Sequence, residues 1–114
     1  MSDHWHFLAE IIVPENNSLS ELFSEAVFGL NLPEAFSAQV RAKLNESGTT
    51  LWKEQKPANL HVSVFLRKDS RKNVGQLAWG FFLLEREKTE TRHEIEVYLY
   101  ADSDRLEGNK REQA

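Results

Sequence analysis

The sequence of 114 residues contains no cysteine, which excludes disulfides, thiolate metal sites and a cysteine nucleophile. It also has no apolar run that approaches the ~20 residues a helix needs to cross a bilayer. Residues 1–4 lack a basic segment followed by an apolar stretch, so we predict no secretory signal. A chain without cysteine is compatible with a reducing compartment. We therefore expect a cytoplasmic protein that does not contact membranes.

Motifs for catalysis and cofactor binding are missing as well. The five glycines form no phosphate-binding loop, and no serine lies in a Gly-x-Ser-x-Gly motif. Among the four histidines, His4 and His6 alternate on a strand and can place two imidazoles on one metal, but a catalytic zinc site usually has three protein ligands. We therefore expect a non-catalytic protein without metal or cofactor. An enzyme with its site between the predicted sheet and the segment 49–59 is an open alternative, for which the sequence names no catalytic residue.

Apolar residues are abundant, and their spacing predicts four strands. In the first, 4–14, strict alternation places Trp5, Phe7, Ala9, Ile11 and Val13 on one face and His4, His6, Leu8, Glu10 and Ile12 on the other. Three further strand-like runs cover 60–68, 77–87 and 93–102. Residues 77–84 are apolar at nearly every position, which is typical of a central strand covered on both faces.

Two helices are predicted between the first and second strands. The first begins at Ser18, which has the capping-box spacing to Glu21. The second has Pro33 in its first turn and ends at Gly48, and the segment 49–59 is predicted to be a loop. The apolar stripes of the two helices contain Leu19, Leu22, Phe23, Ala26, Val27, Leu30, Phe36, Val40 and Leu44.

The order of elements is therefore strand, helix, helix, strand, strand, strand. Because the connectors 69–76 and 88–92 are short and charged, we expect the last three strands to pair as hairpins. This predicts a two-layer α+β sandwich, with a four-stranded antiparallel sheet and two helices on one face. The first strand lies beside either the second or the fourth. We expect one domain over 1–102 and a disordered charged tail over 103–114.

The sheet face opposite the helices is the main functional candidate. We expect it to present Phe65, Phe82, Leu84, Tyr98 and Tyr100, with Leu8 and Ile12 as further members. Exposed apolar patches of more than a few hundred Å² usually mark interfaces. We therefore predict a small interaction or regulatory protein that forms a homodimer, or binds another protein, through this face. Alternatively, the segment 49–59 covers the face with Leu51 and Trp52.

A second hypothesis is binding of single-stranded nucleic acid. Four cations, Arg67, Lys68, Arg71 and Lys72, fall at the predicted tip of the hairpin between the second and third strands. Such a tip contacts phosphates while aromatic side chains of the sheet stack on bases. Glu94 and Glu96 on the same face, and the net charge of −4, oppose this hypothesis because phosphate contacts dominate affinity.

Overall fold

The computed structural model describes residues 4–53, 59–68, 78–88 and 92–102. These residues belong to the α+β class, as predicted. The elements are β1 (Trp5–Val13), α1 (Leu19–Ala26), α2 (Glu34–Lys53), β2 (Asn59–Arg67), β3 (Ala78–Lys88) and β4 (Arg92–Asp102). Short 3₁₀ turns at Asn16–Ser18 and Phe28–Leu30 flank α1.

The sheet is mixed, with the strand order β1-β2-β4-β3. The predicted antiparallel pairing of the last two strands is confirmed. The predicted hairpin between β2 and β3 is wrong, because β4 lies between them and pairs with β2 in parallel. The first strand, β1, lies beside β2 and antiparallel to it. The fully antiparallel sheet expected from the sequence is therefore corrected to a mixed one.

The strand expected at the centre, β3, lies at an edge, and the charge at its end gives the physical reason. Its last four residues, 85–88, are all charged and exposed. Charged side chains suit edge strands, because one side of an edge strand stays in water. In β4, by contrast, every second residue from His93 to Ala101 is buried. A strand of that kind fits between two neighbours.

Both helices pack on the same face of the sheet, as predicted. Phe23 of α1 and Val40 and Leu44 of α2 are fully buried. Phe36 of α2 contacts the ring of Phe81 in β3, with centroids 5.7 Å apart. The sheet supplies the other half of this core through Leu60, Val62, Val64, Leu66, Ile95, Val97 and Leu99.

The helix ends differ from the prediction. Ser18 does not cap α1 through its side chain, because its hydroxyl donates to the carbonyl oxygen of Glu15 at 2.8 Å. The second helix does not end at Gly48, since α2 continues to Lys53. The first half of the predicted loop 49–59 is therefore helical, and residues 54–58 lie outside the described residues, as does the predicted tail 103–114.

A β-bulge at Leu8 interrupts β1, where the register with β2 shifts. Before the bulge, Phe7 lies opposite Phe65. After it, the buried Val13 lies opposite the buried Leu60. Because a bulge adds one residue to one strand only, it reverses which residues of that strand face the core.

The strict alternation expected for the first strand is therefore wrong. Trp5 and Phe7 lie on the face away from the helices, where they contact other rings. Leu8, a candidate for that face, packs against the core instead. Ile12 lies on the face away from the helices, opposite His61, and is 48% exposed.

The parallel pairing of β2 with β4 predicts which engineered cysteines form a disulfide. His61 lies opposite Glu94 in the register, and directly paired positions fall within the Cα separation that a disulfide bridges. Oxidation of the His61→Cys, Glu94→Cys variant should therefore give an internally cross-linked chain. Because the natural chain has no cysteine, mass spectrometry under non-reducing conditions reads this directly.

The matched control is His61→Cys with Glu87→Cys. Glu87 lies opposite Glu94 from the other side, so it is two strands away from His61 and should not cross-link. Efficient cross-linking of the control pair, with none of the first pair, would contradict the strand order.

Candidate functional site

The sheet face opposite the helices carries an aromatic ladder, formed by Phe7, Phe65, Tyr98 and Phe82. Phe7 pairs with Phe65, Phe65 with Tyr98, and Tyr98 with Phe82. The four rings therefore form one row across all four strands, in the order in which the strands lie. We call the surface around this row the aromatic face.

The rings of the ladder are in direct contact. Tyr98 is stacked between Phe65, at 4.8 Å and 9°, and Phe82, at 4.9 Å and 8°. The spacing matches the ~4.8 Å between neighbouring strands. Phe7 contacts Phe65 in an edge-to-face arrangement at 5.6 Å. Aromatic pairs of this kind add to sheet stability, so the ladder ties the four strands together on the side away from the helices.

Trp5 lies over one side of the ladder. Its indole contacts Tyr98 at 4.9 Å and Phe82 at 5.7 Å, both edge-to-face. Trp5 reaches this position because it precedes the bulge at Leu8 and so shares a face with Phe7. The aromatic face consequently consists of a row of rings with one indole on top of it.

Burial differs along the ladder. Tyr98 and Phe65 are partly buried by their neighbours, whereas the outer rings Phe7 and Phe82 are 53% and 41% exposed. Next to Phe82, Leu84 is also 41% exposed. Among the described residues, the apolar surface of this face is therefore largest at the two sheet edges.

Tyr98 combines its ring contacts with a polar anchor. Its hydroxyl donates a 2.7 Å hydrogen bond to Oε1 of Glu96. Burial raises the pKa of Tyr98 to about 12, and the hydrogen bond and the negative charge of Glu96 add to this, while Arg86 acts in the opposite direction. Arg86 Nε lies 3.7 Å from the same Glu96 oxygen. The tyrosine at the centre of the ladder is thus held in its neutral form.

Charges are distributed unevenly around the ladder. On one side of the row, the Arg67 guanidinium lies over the ring of Tyr100, 5.6 Å from its centroid. On the other side are three carboxylates. Glu10 and Glu96 lie in the row next to the ladder, and Glu94 lies one row further away. Arg92 pairs with Glu94. The aromatic face therefore has a cationic side and a mainly acidic side.

The structure places the five predicted interface residues on one face. Phe65, Phe82 and Tyr98 are members of the ladder, and Leu84 and Tyr100 lie in the adjacent rows of the register. Of the predicted basic residues, Arg67 ends β2 and Lys68 follows it in an exposed position. Arg71 and Lys72 lie outside the described residues. Arg67 does not lead into a β2–β3 hairpin, because those strands are not neighbours.

Sequence reasoning missed Trp5 and Phe7 because it assumed an uninterrupted strand. The available signal was the crowding of apolar residues on both alternating sets, which one regular strand cannot bury on one face. It also missed Phe28, which is 85% exposed in the turn after α1. Phe28 borders an open cavity of about 460 Å³ with Glu21, Ser24 and Glu25.

One polar pair lies on the core side. His93 is buried, and its Nε2 lies 2.5 Å from Oε2 of the half-exposed Glu85. Within the described ranges, no three His, Asp or Glu side chains come together as a metal site.

The arrangement of the aromatic face is suited to apolar and aromatic contact with another surface.

Comparison with known proteins gives no further information. The chain matches no family model, and neither the curated proteins nor the solved structures give a significant match. In the part of the chain that is described, no helix is both long and apolar enough to cross a membrane.

The raised pKa of Tyr98 should be visible when the tyrosine absorbance is followed as a function of pH. The phenolate absorbance of the folded protein should show one tyrosine ionising near pH 12, and Glu96→Gln should move that step toward the ordinary value. A folded-state pKa above the unfolded value stabilises the fold fully below about pH 10. This contribution should then be lost as the pH rises toward 12. Tyr98→Phe is the control, since it should remove the late step; its persistence in that variant would contradict the assignment.

Removal of the contact between Glu85 and His93 should lower the stability of the fold. Glu85→Ala removes the partner of a buried ring nitrogen, so we expect the free energy of unfolding to fall by about 1–3 kcal/mol. Glu87→Ala, at an exposed position of the same strand, should change it by less than about 0.5 kcal/mol. Urea denaturation measures both, and equal losses would show that the contact contributes nothing specific.

Proposed function

We propose that this protein is a small non-catalytic interaction or regulatory protein of the cytoplasm. It associates with a protein partner through the aromatic face, and the expected partner is a second copy of the same chain. Two-fold dimers are the commonest oligomers, and the absence of cysteine is compatible with the reducing cytoplasm.

The observation that carries the proposal is the ladder itself. A single row of four rings runs from one sheet edge to the other, and its outer members are about half exposed. Aromatic side chains are enriched in the cores of protein interfaces, where they contribute a large part of the binding energy. The stacked rings have few rotamers left to lose, so burial against a partner costs little additional side-chain entropy.

The same ring geometry favours protein contact over binding of bases. A base stacks on the open face of an aromatic ring. Both faces of Tyr98 are already occupied, by Phe65 and Phe82, and the edge of Trp5 lies against it as well. The carboxylates of Glu94 and Glu96 further reduce the attraction for phosphates. Nucleic-acid binding through Arg67, Lys68, Arg71 and Lys72 is therefore the second candidate.

The size of the face sets the expected strength of association. Four strands at ~4.8 Å spacing are about 19 Å wide, and six residues of strand are about 20 Å long, which gives a flat area of about 400 Å². Stable interfaces of standard size bury about 800 Å² of each partner. We therefore expect a reversible dimer with a dissociation constant in the micromolar range.

Two exposed phenylalanines provide a matched test. Phe82→Ser removes an outer ring of the ladder, so the dimer dissociation constant should rise about tenfold or more. Phe28→Ser removes a phenylalanine that is more exposed but lies in the turn after α1, and it should leave the constant unchanged. Sedimentation equilibrium measures the constant, and circular dichroism checks that both variants fold. A dimer that is weakened by Phe28→Ser and not by Phe82→Ser would contradict the proposal.

Salt-dependent binding separates the two candidate functions. A single-strand binder should bind labelled oligo(U) RNA with an affinity that falls steeply as salt increases, and Arg71→Glu should reduce that affinity. An interaction protein should show no such binding at physiological salt. Strong, salt-sensitive RNA binding would therefore replace the leading proposal by the second candidate.

A further inference from the structure

The uneven charges of the aromatic face define how a second copy fits onto it. Three rows of the register are relevant. The ladder forms the middle row. The row on one side contains Trp5, Arg67, Tyr100 and Gly80, and the row on the other side contains Glu10, Ser63, Glu96 and Leu84. The row with Trp5 carries one cation, Arg67, and the row with Ser63 carries two carboxylates, Glu10 and Glu96.

If the strands of the two sheets are aligned, as is common for stacked sheets, two copies can meet face to face in two symmetric ways. If the two-fold axis runs along the strands, each row meets the same row of the second copy in reverse strand order, so the Glu10 and Glu96 carboxylates of both copies lie side by side in one row. If the axis runs along the ladder, the row with Arg67 meets the row with Glu10 and Glu96. Like charges brought side by side across an interface are costly. Charge complementarity therefore selects the second arrangement.

We propose that the protein forms a dimer whose two-fold axis runs along the aromatic ladder, so that the ladders of the two copies lie on each other. This inference rests on the proposed function. In this arrangement Arg67 of each copy lies between Glu10 and Glu96 of the other. The strands of the two sheets run antiparallel, which agrees with the aligned packing that is common for stacked sheets.

The position of Trp5 is consistent with this arrangement. Its indole covers Tyr98 and Phe82 from the side of the Arg67 row. With the axis along the ladder, the Arg67 side of the face meets the Glu10 row of the other copy. The indole lies over strands β4 and β3 of that row. The residues of that row on β4 and β3 are Glu96 and Leu84, and Leu84 is 41% exposed. The indole and the exposed leucine are thus brought near each other, twice in each dimer.

Glu10 is the better of the two carboxylates for an experiment. Glu96 already accepts the hydrogen bond of Tyr98 and lies near Arg86, so its replacement would also disturb the ladder. Glu10 is exposed on the edge strand β1. Reversal of its charge changes the contact with the second copy and little else.

A charge exchange between two full-length variants tests the arrangement. In Arg67→Glu alone, acid meets acid at both symmetric contacts; in Glu10→Arg alone, cation meets cation. Each should weaken its homodimer about tenfold or more, since two contacts are reversed. In an equimolar mixture both contacts between positions 67 and 10 regain opposite charges, while the new carboxylate at position 67 still lies beside Glu96, so the heterodimer should form more tightly than either homodimer. Native mass spectrometry separates heterodimer from homodimers by mass, and thermal melting confirms that both variants fold.

The other outcomes are equally informative. A wild-type protein that stays monomeric overturns the proposed function and this inference together. A wild-type dimer with variants that all associate equally, and mix statistically, overturns only the inference, because the charges are then outside the interface. A Glu10→Arg homodimer that is at least as tight as the wild-type dimer also overturns it and assigns the axis to the strand direction, because the new cation at position 10 then lies beside Glu96 of the second copy.

Discussion

The register between the strands is the constraint on which the aromatic face depends. Phe7, Phe65, Tyr98 and Phe82 come from four separate strands, and they form one row only because each pairing is in a particular register. A slip of one residue would move a ring to the opposite face of the sheet. The stacking of Tyr98 between two phenylalanines, 4.8 and 4.9 Å away, in turn favours that register. The ladder is thus both a surface and a stabilising element.

Two irregular features make this row possible. The bulge at Leu8 directs the rings before it away from the helices, while Val13 after it stays in the core. The insertion of β4 between β2 and β3 places Tyr98 at the centre of the sheet, between two strands that each supply a phenylalanine. The helices stabilise the opposite face through their apolar stripes. One sheet therefore has a covered aliphatic face and an aromatic face.

Local patterns in the sequence predicted the parts that depend on one strand or one helix. Alternation identified the core residues of β2 and the members Phe65, Tyr98 and Phe82 of the face. Strand order depends on which distant segments meet, and periodicity contains no information on that. The charged residues 85–88 indicate an edge strand, whereas the apolar run 77–84 of the same segment predicts a central one. A bulge leaves no local signal beyond crowded apolar residues, so Trp5 and Phe7 were missed.

We propose that the exposed rings of the ladder serve association, and the mass of the wild-type protein in solution tests this most directly. Light scattering should be measured from low-micromolar to sub-millimolar concentration at physiological salt. We expect the average mass to rise from that of one 13.2 kDa chain toward twice that value, with no larger species. A mass that stays at one chain over the whole range would contradict self-association through the aromatic face.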